Sequence, residues 1–470
     1  MPLKEACGIV GITSGTDVSY EIFTALRALQ HRGQESAGIS VFNDSSGIVT
    51  VKGMGLVTEA FSEEKLKEIS GNVGIGHVRY STAGESTIKN AQPIEMHIVS
   101  GMISLAHNGE LVNAEELRNH YKEKGWAFFT TSDSEVIIRL LSKEIHEGRD
   151  PVSGIKEVMR TISGSYALVI LINNRLFAVR DPLGIKPLAL GKKGDTYVAA
   201  SESVAFDALG FELVRDVEPG EILEIAPGSV MSHAGPSSDG KAHCFFEWVY
   251  FSRSDTVLDG VLVYDVRKKI GEILAREAPV EADIVIPVPD SGRSHALGYS
   301  EGSGIRYAEG LMKNRYVDRT FIMPEQGMRE YNVSVKLNPI RSMIDGKRIV
   351  LVDDSIVRGT TMKKIVSMLR AAGAKEVHVR IGCPPIVAPC YLGIDMKTRD
   401  QLIAPGRSTE EIRERIGADS LAYVSIDGLV EAIGKDRKEL CLGCVSGEYP
   451  IKIEGELFRE QSTLEEYLHF

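Results

Sequence analysis

The segment Arg348-Ile349-Val350-Leu351-Val352-Asp353-Asp354-Ser355-Ile356-Val357-Arg358-Gly359-Thr360-Thr361 decides how the second half of the chain folds. Four consecutive apolar residues read as a buried strand. An acidic pair marks its carboxyl end, and a Gly/Thr-rich turn leads into a helix predicted over Thr361 to Ala372. Backbone N–H groups and hydroxyls at such a helix start form an anion site, reinforced by the helix dipole. Two adjacent carboxylates at a strand end repel unless a cation or hydroxyl groups lie between them. Mg²⁺ and a ribose diol are suitable partners. The loop is not a Walker sequence, because no G-x-x-x-x-G-K-[ST] occurs, and Gly302-Ser303-Gly304 lacks the later glycine of a dinucleotide fingerprint.

The flanking sequence continues the β-α theme. A helix is predicted from about Val263 to Glu277, and apolar strands over Asp283 to Val288 and Val377 to Ile381. Apolar strands alternating with amphipathic helices imply a parallel sheet covered on both faces. The strand ending at Val288 runs into the polar loop Pro289-Asp290-Ser291-Gly292. Met323 to Ile344 is a further polar stretch with Pro324, Gly327, Pro339, Arg329, Lys336 and Arg341.

These features resemble the type I phosphoribosyltransferases. The resemblance implies an α/β domain in which Asp353 and Asp354 contact ribose and metal, while Ser355, Val357, Arg358, Gly359, Thr360 and Thr361 hold a 5-phosphate. Asp290 and Ser291 fall in the corresponding pyrophosphate loop, and Ser291, Asp353 and Asp354 surround one Mg²⁺ per subunit. Met323 to Ile344 corresponds to a lid that shields an oxocarbenium-like ribosyl cation from water.

Near residue 230 the composition changes. Ala234 to Gly240 (AGPSSDG) has no periodicity and reads as a linker between domains over 7–233 and 241–470. In the first half, short strands are separated by Gly and Asn turns. Ile22, Phe23, Leu26 and Leu29 share a face at helical spacing, and Ser132-Asp133-Ser134-Glu135 offers an N-cap ahead of a helix over Val136 to Ile145. Tyr166 to Ile172 and Leu176 to Val179 flank Asn173-Asn174 as a hairpin. This clustering suggests an α+β or sheet-on-sheet domain.

Cys7-Gly8-Ile9-Val10-Gly11-Ile12 puts a thiol at the start of an apolar strand, where an inert buried cysteine is the ordinary outcome. Three further segments change that reading: His31-Arg32-Gly33-Gln34-Glu35-Ser36-Ala37-Gly38, Gly76-His77-Val78-Arg79-Tyr80-Ser81-Thr82-Ala83-Gly84 and His107-Asn108-Gly109-Glu110-Leu111. In this order the four resemble the glutaminase domain of the N-terminal-nucleophile (Ntn) amidotransferases, a layered αββα fold, over about residues 7 to 230. The resemblance implies that Cys7 is the nucleophile and that its own α-amino group is the base, since an α-amino pKa near ~7.8 suits working pH better than a lysine near ~10.4. Cys7 must then be the first residue of the mature chain, so Met1 to Ala6 are expected to be a propeptide. Asn108 and the Gly109 N–H correspond to the oxyanion hole, Arg79 to the partner of the glutamine α-carboxylate and Asp133 to that of its α-ammonium. Asp133 also has a simpler reading as a helix cap. Arg32, His77 and His107 are read as structural supports.

Six cysteines in 470 residues are too few for a disulfide scaffold, and the first thirty residues lack a signal-peptide pattern, so a reducing cytoplasmic compartment is expected. Composition is ordinary for a globular chain, with 43% hydrophobic and 25% charged residues, and the longest apolar run is too short to cross a bilayer. A net charge of −11 argues against a nucleic-acid partner held by a general basic surface. Cys441-x-x-Cys444, with Cys244 and Cys390, offers four thiolates that spacing alone leaves open among zinc, iron–sulfur and redox roles. The segments Cys244-Phe245-Phe246-Glu247-Trp248-Val249-Tyr250-Phe251 and Pro389-Cys390-Tyr391-Leu392-Gly393-Ile394-Asp395 resemble the iron–sulfur branch of the amidophosphoribosyltransferase family. That implies one 4Fe-4S cluster per subunit on these four residues as a structural clamp, with Cys383 left as a buried thiol.

Taken whole, the chain resembles that family. The implied activity is glutamine hydrolysis at Cys7, internal passage of ammonia to phosphoribosyl pyrophosphate, and formation of 5-phosphoribosylamine, glutamate and pyrophosphate, opening de novo purine synthesis. A homotetramer inhibited by purine nucleotides is implied as well. A glutamine-dependent sugar-phosphate aminotransferase would share the first half but not Val352-Asp353-Asp354-Ser355-Ile356. An asparagine synthetase would need a Ser-Gly-Gly-rich loop, which Pro289-Asp290-Ser291-Gly292-Arg293 does not supply. A regulator that only senses phosphoribosyl pyrophosphate would have no use for an intact Cys7, Asn108 and Gly109.

Overall fold

The clustered strands of the first half form two stacked antiparallel sheets. The computed structural model describes residues 7–80, 86–314, 337–396 and 398–453. Among these, one sheet runs in the spatial order Glu212–Asp216, Ala189–Lys193, Thr196–Ala200, Gly8–Thr13, Val73–Arg79, Ser36–Asn43, Gly47–Met54. The other runs Ser229–Ala234, Glu221–Ala226, Arg175–Arg180, Gly164–Ile172, Gly101–Leu111, Ile94–Ile98. Side chains alternate along each strand, so Ile9 faces the second sheet with Val169 and Leu171, while Val10 and Ile12 face helix Ser19–Ala28. Both faces are therefore apolar. Helices Ser134–His146 and Pro151–Thr161 cover the outside of the second sheet, completing an αββα stack. Phe23 is only partly buried, so the core-facing stripe of the first helix is Ser19, Ile22, Ala25 and Leu26. The expected hairpin is present, with Asn173 at φ 50° in its turn.

The second half holds a parallel sheet in the order Ile284–Pro287, Arg348–Asp353, Glu376–Ile381, Ser420–Tyr423. Ile349 to Val352 are all fully buried because helices Val263–Glu277, Arg293–Ser303 and Thr360–Ala371 pack against the sheet. Ala234 closes a strand, so irregular chain begins at Gly235. The lid expected over Met323 to Ile344 is only partly within the described residues. Residues 323–336 lie outside them. Leu337–Pro339 pairs with Leu311–Lys313, and Arg341–Ile344 is a helical turn anchored by fully buried Ile344, so Arg341 belongs to the domain body and not to a solvated loop. Residues 1–6, the expected propeptide, also lie outside the described residues.

Buried ion pairs cross the seam between the halves. Arg180 binds Asp259 through two bonds of 2.8 and 3.0 Å, and Arg32 grips Glu247 through bonds of 2.8 and 3.0 Å. Such desolvated pairs specify one docking geometry, because removing either partner strands the other charge.

Candidate active site

Strand Gly8–Thr13 lies between two partners, and its register sets Gly8 opposite Val78. Cys7 is thereby carried to the end of strand Val73–Arg79, where its Sγ donates to the Tyr80 carbonyl at 3.4 Å. Burial raises the thiol pKa; the Tyr80 bond and Arg79 charge oppose that rise, while Asp133 and Glu35 add to it. The resting thiol is protonated and needs a base to react.

Asn108 stands on the facing sheet in strand Gly101–Leu111. Its backbone is fixed through His107, whose N–H donates to Gln92 Oε1 at 2.8 Å and whose carbonyl accepts from the His77 ring at 3.1 Å. Burial holds His77 neutral, with a pKa lowered to about 3, so the single ring proton must sit on Nε2 for this bond. Asn108 is fully buried, yet among the described residues neither its amide nitrogen nor its oxygen has a hydrogen-bond partner. An unpaired buried amide costs about 1–3 kcal/mol, and such a cost persists at a site shaped for a ligand. Gly109 follows at φ 147°, where a Cβ would lie 2.0 Å from the Ser165 carbonyl oxygen, so glycine alone fits.

Asp133 occupies the cap position of helix Ser134–His146 but makes no capping bond, which corrects the simpler reading. Its Oδ2 accepts from the Leu111 N–H at 3.0 Å, and Oδ1 lies 3.6 Å from His107 Nδ1. Burial works to raise this carboxyl, but His107 and the Leu111 and Ser134 N–H groups hold it below its usual range. Arg79 is buried and ion-paired to Glu35. Arg32 does more than support a loop, since its Nε donates to the Cys7 carbonyl at 3.0 Å while its fork reaches Glu202 and Glu247. Glu35, Glu202 and Glu247 were not singled out as site residues. Glu247, alone among Phe245 to Phe251 in carrying a charge, offered a signal for burial.

In the second domain the two loops expected to cooperate are adjacent. Val288 N–H donates to the Val352 carbonyl at 2.8 Å, and a Cβ on Gly292 would sit 2.6 Å from that same oxygen. Asp353 and Asp354 are buried, and among the described residues neither has an ion pair within 4 Å. Burial and then the charge of Asp354 raise the Asp353 carboxyl well above its usual range. Ser355 Oγ donates to Asp354 at 2.6 Å. Gly359 takes φ 74° to start the helix at Thr360, a left-handed conformation that excludes other residues cheaply. Val357 anchors the loop by accepting from Ile403 N–H at 2.8 Å, and Arg358 is exposed beside Gln401. Asp290 is half-exposed and held by Lys313 at 2.9 Å, whereas the Ser291 carbonyl accepts from buried His295. Arg267 was not anticipated. Its buried guanidinium, lowered to about 10 by desolvation, donates to the Trp248 and Ser252 carbonyls and has Asp354 as its leading opposite charge.

The six cysteines are all free thiols. Cys244 and Cys441 stand abreast in a short parallel bridge, and the Cys444 carbonyl accepts from Val387 and Ala388, which lead to Cys390. Burial raises all four thiols, Cys441 to about 12, and the other cysteines add to the rise at Cys444. Among the described residues no three or more His, Cys, Asp or Glu side chains are drawn together tightly enough to hold a metal ion. Cys383 is buried away from solvent, as expected.

Residues 77–208 match the glutamine amidotransferase domain model and 255–383 the phosphoribosyl transferase domain model. The amidophosphoribosyltransferase of Methanothermobacter thermautotrophicus is 55% identical over 458 residues, covering 97% of this chain and 96% of that protein. That of Methanocaldococcus jannaschii is 51% identical, covering 96% and 98%. The solved structure of the Bacillus subtilis glutamine phosphoribosylpyrophosphate amidotransferase, complexed with ADP and GMP, superposes with a TM-score of 0.90 at 44% identity, covering 96% of this chain and 98% of that one. With Cys7 at the head of a strand in one sheet, a buried Asn108 amide without a hydrogen-bond partner among the described residues in the sheet packed against it, and an acidic strand–loop–helix in the other domain, the chain belongs to the amidophosphoribosyltransferase family, enzymes of the first step of purine biosynthesis.

Proposed function

We propose that glutamine is hydrolysed at Cys7 and that the ammonia passes within the protein to phosphoribosyl pyrophosphate at the Asp353–Asp354 loop, giving 5-phosphoribosylamine. The observation that carries the first half is the buried Asn108 amide, without a hydrogen-bond partner among the described residues, in the sheet packed against the one that Cys7 heads. The free α-amino group of Cys7 takes the thiol proton and Sγ attacks the carboxamide carbon. Asn108 and the Gly109 N–H receive the developing oxyanion. Ammonia leaves with the returned proton, and water cleaves the thioester to glutamate. Asp133 holds the substrate ammonium and Arg79 its carboxylate. Asn108→Ala is expected to lower glutamine-dependent kcat about 10²–10³-fold with ammonia-dependent synthesis intact. A loss smaller than tenfold in glutamate release would remove Asn108 from the oxyanion hole.

The amino-group base requires Met1 to Ala6 to be cleaved. N-terminal sequencing of active protein should read Cys7 first; a sequence starting at Pro2 contradicts this mechanism.

Asp353, Asp354 and Ser291 suit Mg²⁺, which takes one or two carboxylates and completes its shell with phosphate oxygens and water. The buried acids, without an ion pair among the described residues, support this assignment. Bound Mg²⁺ would offset charge on the departing pyrophosphate. The loop from Ser355 to Thr361 holds the 5-phosphate. Cys244, Cys390, Cys441 and Cys444 would hold a 4Fe-4S cluster. Four unbridged thiols from three segments, two of them buried and two partly buried, supply the all-thiolate donor set of such a cluster. Such a cluster supplies a clamp, not chemistry on substrate. Purine-nucleotide inhibition is supported by the ADP and GMP in the B. subtilis structure, a homotetramer by family resemblance and a cytoplasmic location by the free thiols.

A further inference from the structure

Lys186 is fully buried, and its charge has no ordinary compensation. The buried cations Arg32, Arg79 and Arg180 each bind a carboxylate. Arg267 and Arg380 spread their forks over carbonyl and hydroxyl oxygens. Among the described residues the Lys186 ammonium has only the Gly393 carbonyl, at 3.4 Å, and no carboxylate oxygen within 4.0 Å. The acids nearby are engaged elsewhere. Glu247 is taken by Arg32 and Ser252, and Asp181 by the N–H groups of Tyr166, Leu183, Ile185 and Lys186. A desolvated ammonium with one long hydrogen bond is unfavourable unless an anion joins it.

Glu110 follows Gly109, which packs against the same Gly393, so it is the remaining acid on this side, and the other groups near the ammonium belong to the cysteine segments. The Ile185 carbonyl, next in the chain, accepts from Cys244 N–H at 3.2 Å, and Cys441 is the strand partner of Cys244. Gly393 lies three residues beyond Cys390, and a Cβ placed on it would be 3.1 Å from Lys186 Nζ. We propose that Lys186 is a positioning residue that supplies the counter-charge for an anionic metal–thiolate group on Cys244, Cys390, Cys441 and Cys444. This rests on the reading of those four residues as ligands.

The test uses the full-length protein purified anaerobically, as wild type, Lys186→Met and Lys186→Arg. Iron and labile sulfide per chain, the rate of iron release to a ferrous chelator, and thermal unfolding are measured together. Lys186→Met, which keeps the length and removes the charge, is expected to release iron about tenfold faster, within the range for outer-shell partners of metal ligands. Lys186→Arg should stay close to wild type, and ammonia-dependent synthesis should persist in both variants. A midpoint potential more negative in Lys186→Met than in wild type is also expected, because reduction adds negative charge. Wild-type iron release and potential in Lys186→Met would overturn the proposal. Should Lys186→Met not accumulate folded, Lys186→Gln takes the same measurement with the same criteria. Zinc in place of iron in the wild type would refute the cluster but not the counter-charge, which the zinc release rates of the same variants then decide. Absence of any bound metal would overturn both.

Discussion

Cys7→Ala is expected to abolish glutamine-dependent synthesis, by about 10⁴-fold or more, while ammonia-dependent synthesis stays near wild type. The selectivity follows from what the substitution leaves in place. Arg32, which ties this region to Glu247 of the second domain, bonds to the main-chain carbonyl of residue 7, and alanine keeps that carbonyl. Among the described residues the thiol itself bonds only to the Tyr80 carbonyl. Seam, sheets and donor loop should therefore be undisturbed. Assays with glutamine and with ammonium salts on one preparation check the result. Loss of both activities would contradict the division of labour between the domains.

Asp354→Asn is expected to impair transfer from either nitrogen source, by about 10²-fold or more, because the site loses a charge aimed at the metal and ribose. The same change should stabilise the fold. Burial and Asp354 together raise Asp353, so Asp353 favours the neutral form in the native state. An acid with a raised native pKa leaves its stabilising contribution intact at low pH and loses it as pH rises through that pKa. A neutral amide at position 354 removes the Coulombic share of the penalty. The Tm of the variant should exceed that of wild type, by more at pH 8 than at pH 5. Lower activity with an equal or lower Tm at pH 8 would show that the acidic pair is not held under mutual repulsion. Opposite movement of activity and stability is the usual signature of a strained functional site.

The fold of the second domain was legible because a parallel strand buried on both faces is a continuous apolar run, and Ile349 to Val352 is such a run ending in acids. The helix over Val263–Glu277 was legible from its periodicity. The layering of the first domain came from strand clustering together with family resemblance. What stayed hidden was decided by tertiary pairing. Asp133 reads as a substrate ligand or a helix cap, and only the arrival of Leu111 and His107 shows its carboxylate bonded away from the helix it precedes. Arg32 carried no sign that Glu202 and Glu247, about 170 and 215 residues away, would flank it. Arg341 read as part of a polar loop, but buried Ile344 three residues later fixes its turn. Lys186 follows Asp181-Pro182-Leu183-Gly184, a turn-like stretch that gives no hint of complete burial.

The central claim is that two chemistries in one chain are coupled, with glutamine cleaved for the benefit of the phosphoribosyl site. The direct measurement is glutamate release from glutamine with and without phosphoribosyl pyrophosphate, with pyrophosphate assayed in the same samples. If donor binding is coupled to the glutaminase site, glutamate release should rise on adding the donor, and glutamate and pyrophosphate should then accumulate in equal amounts. Glutamate release indifferent to the donor, or pyrophosphate formed in no fixed ratio to glutamate, would contradict it.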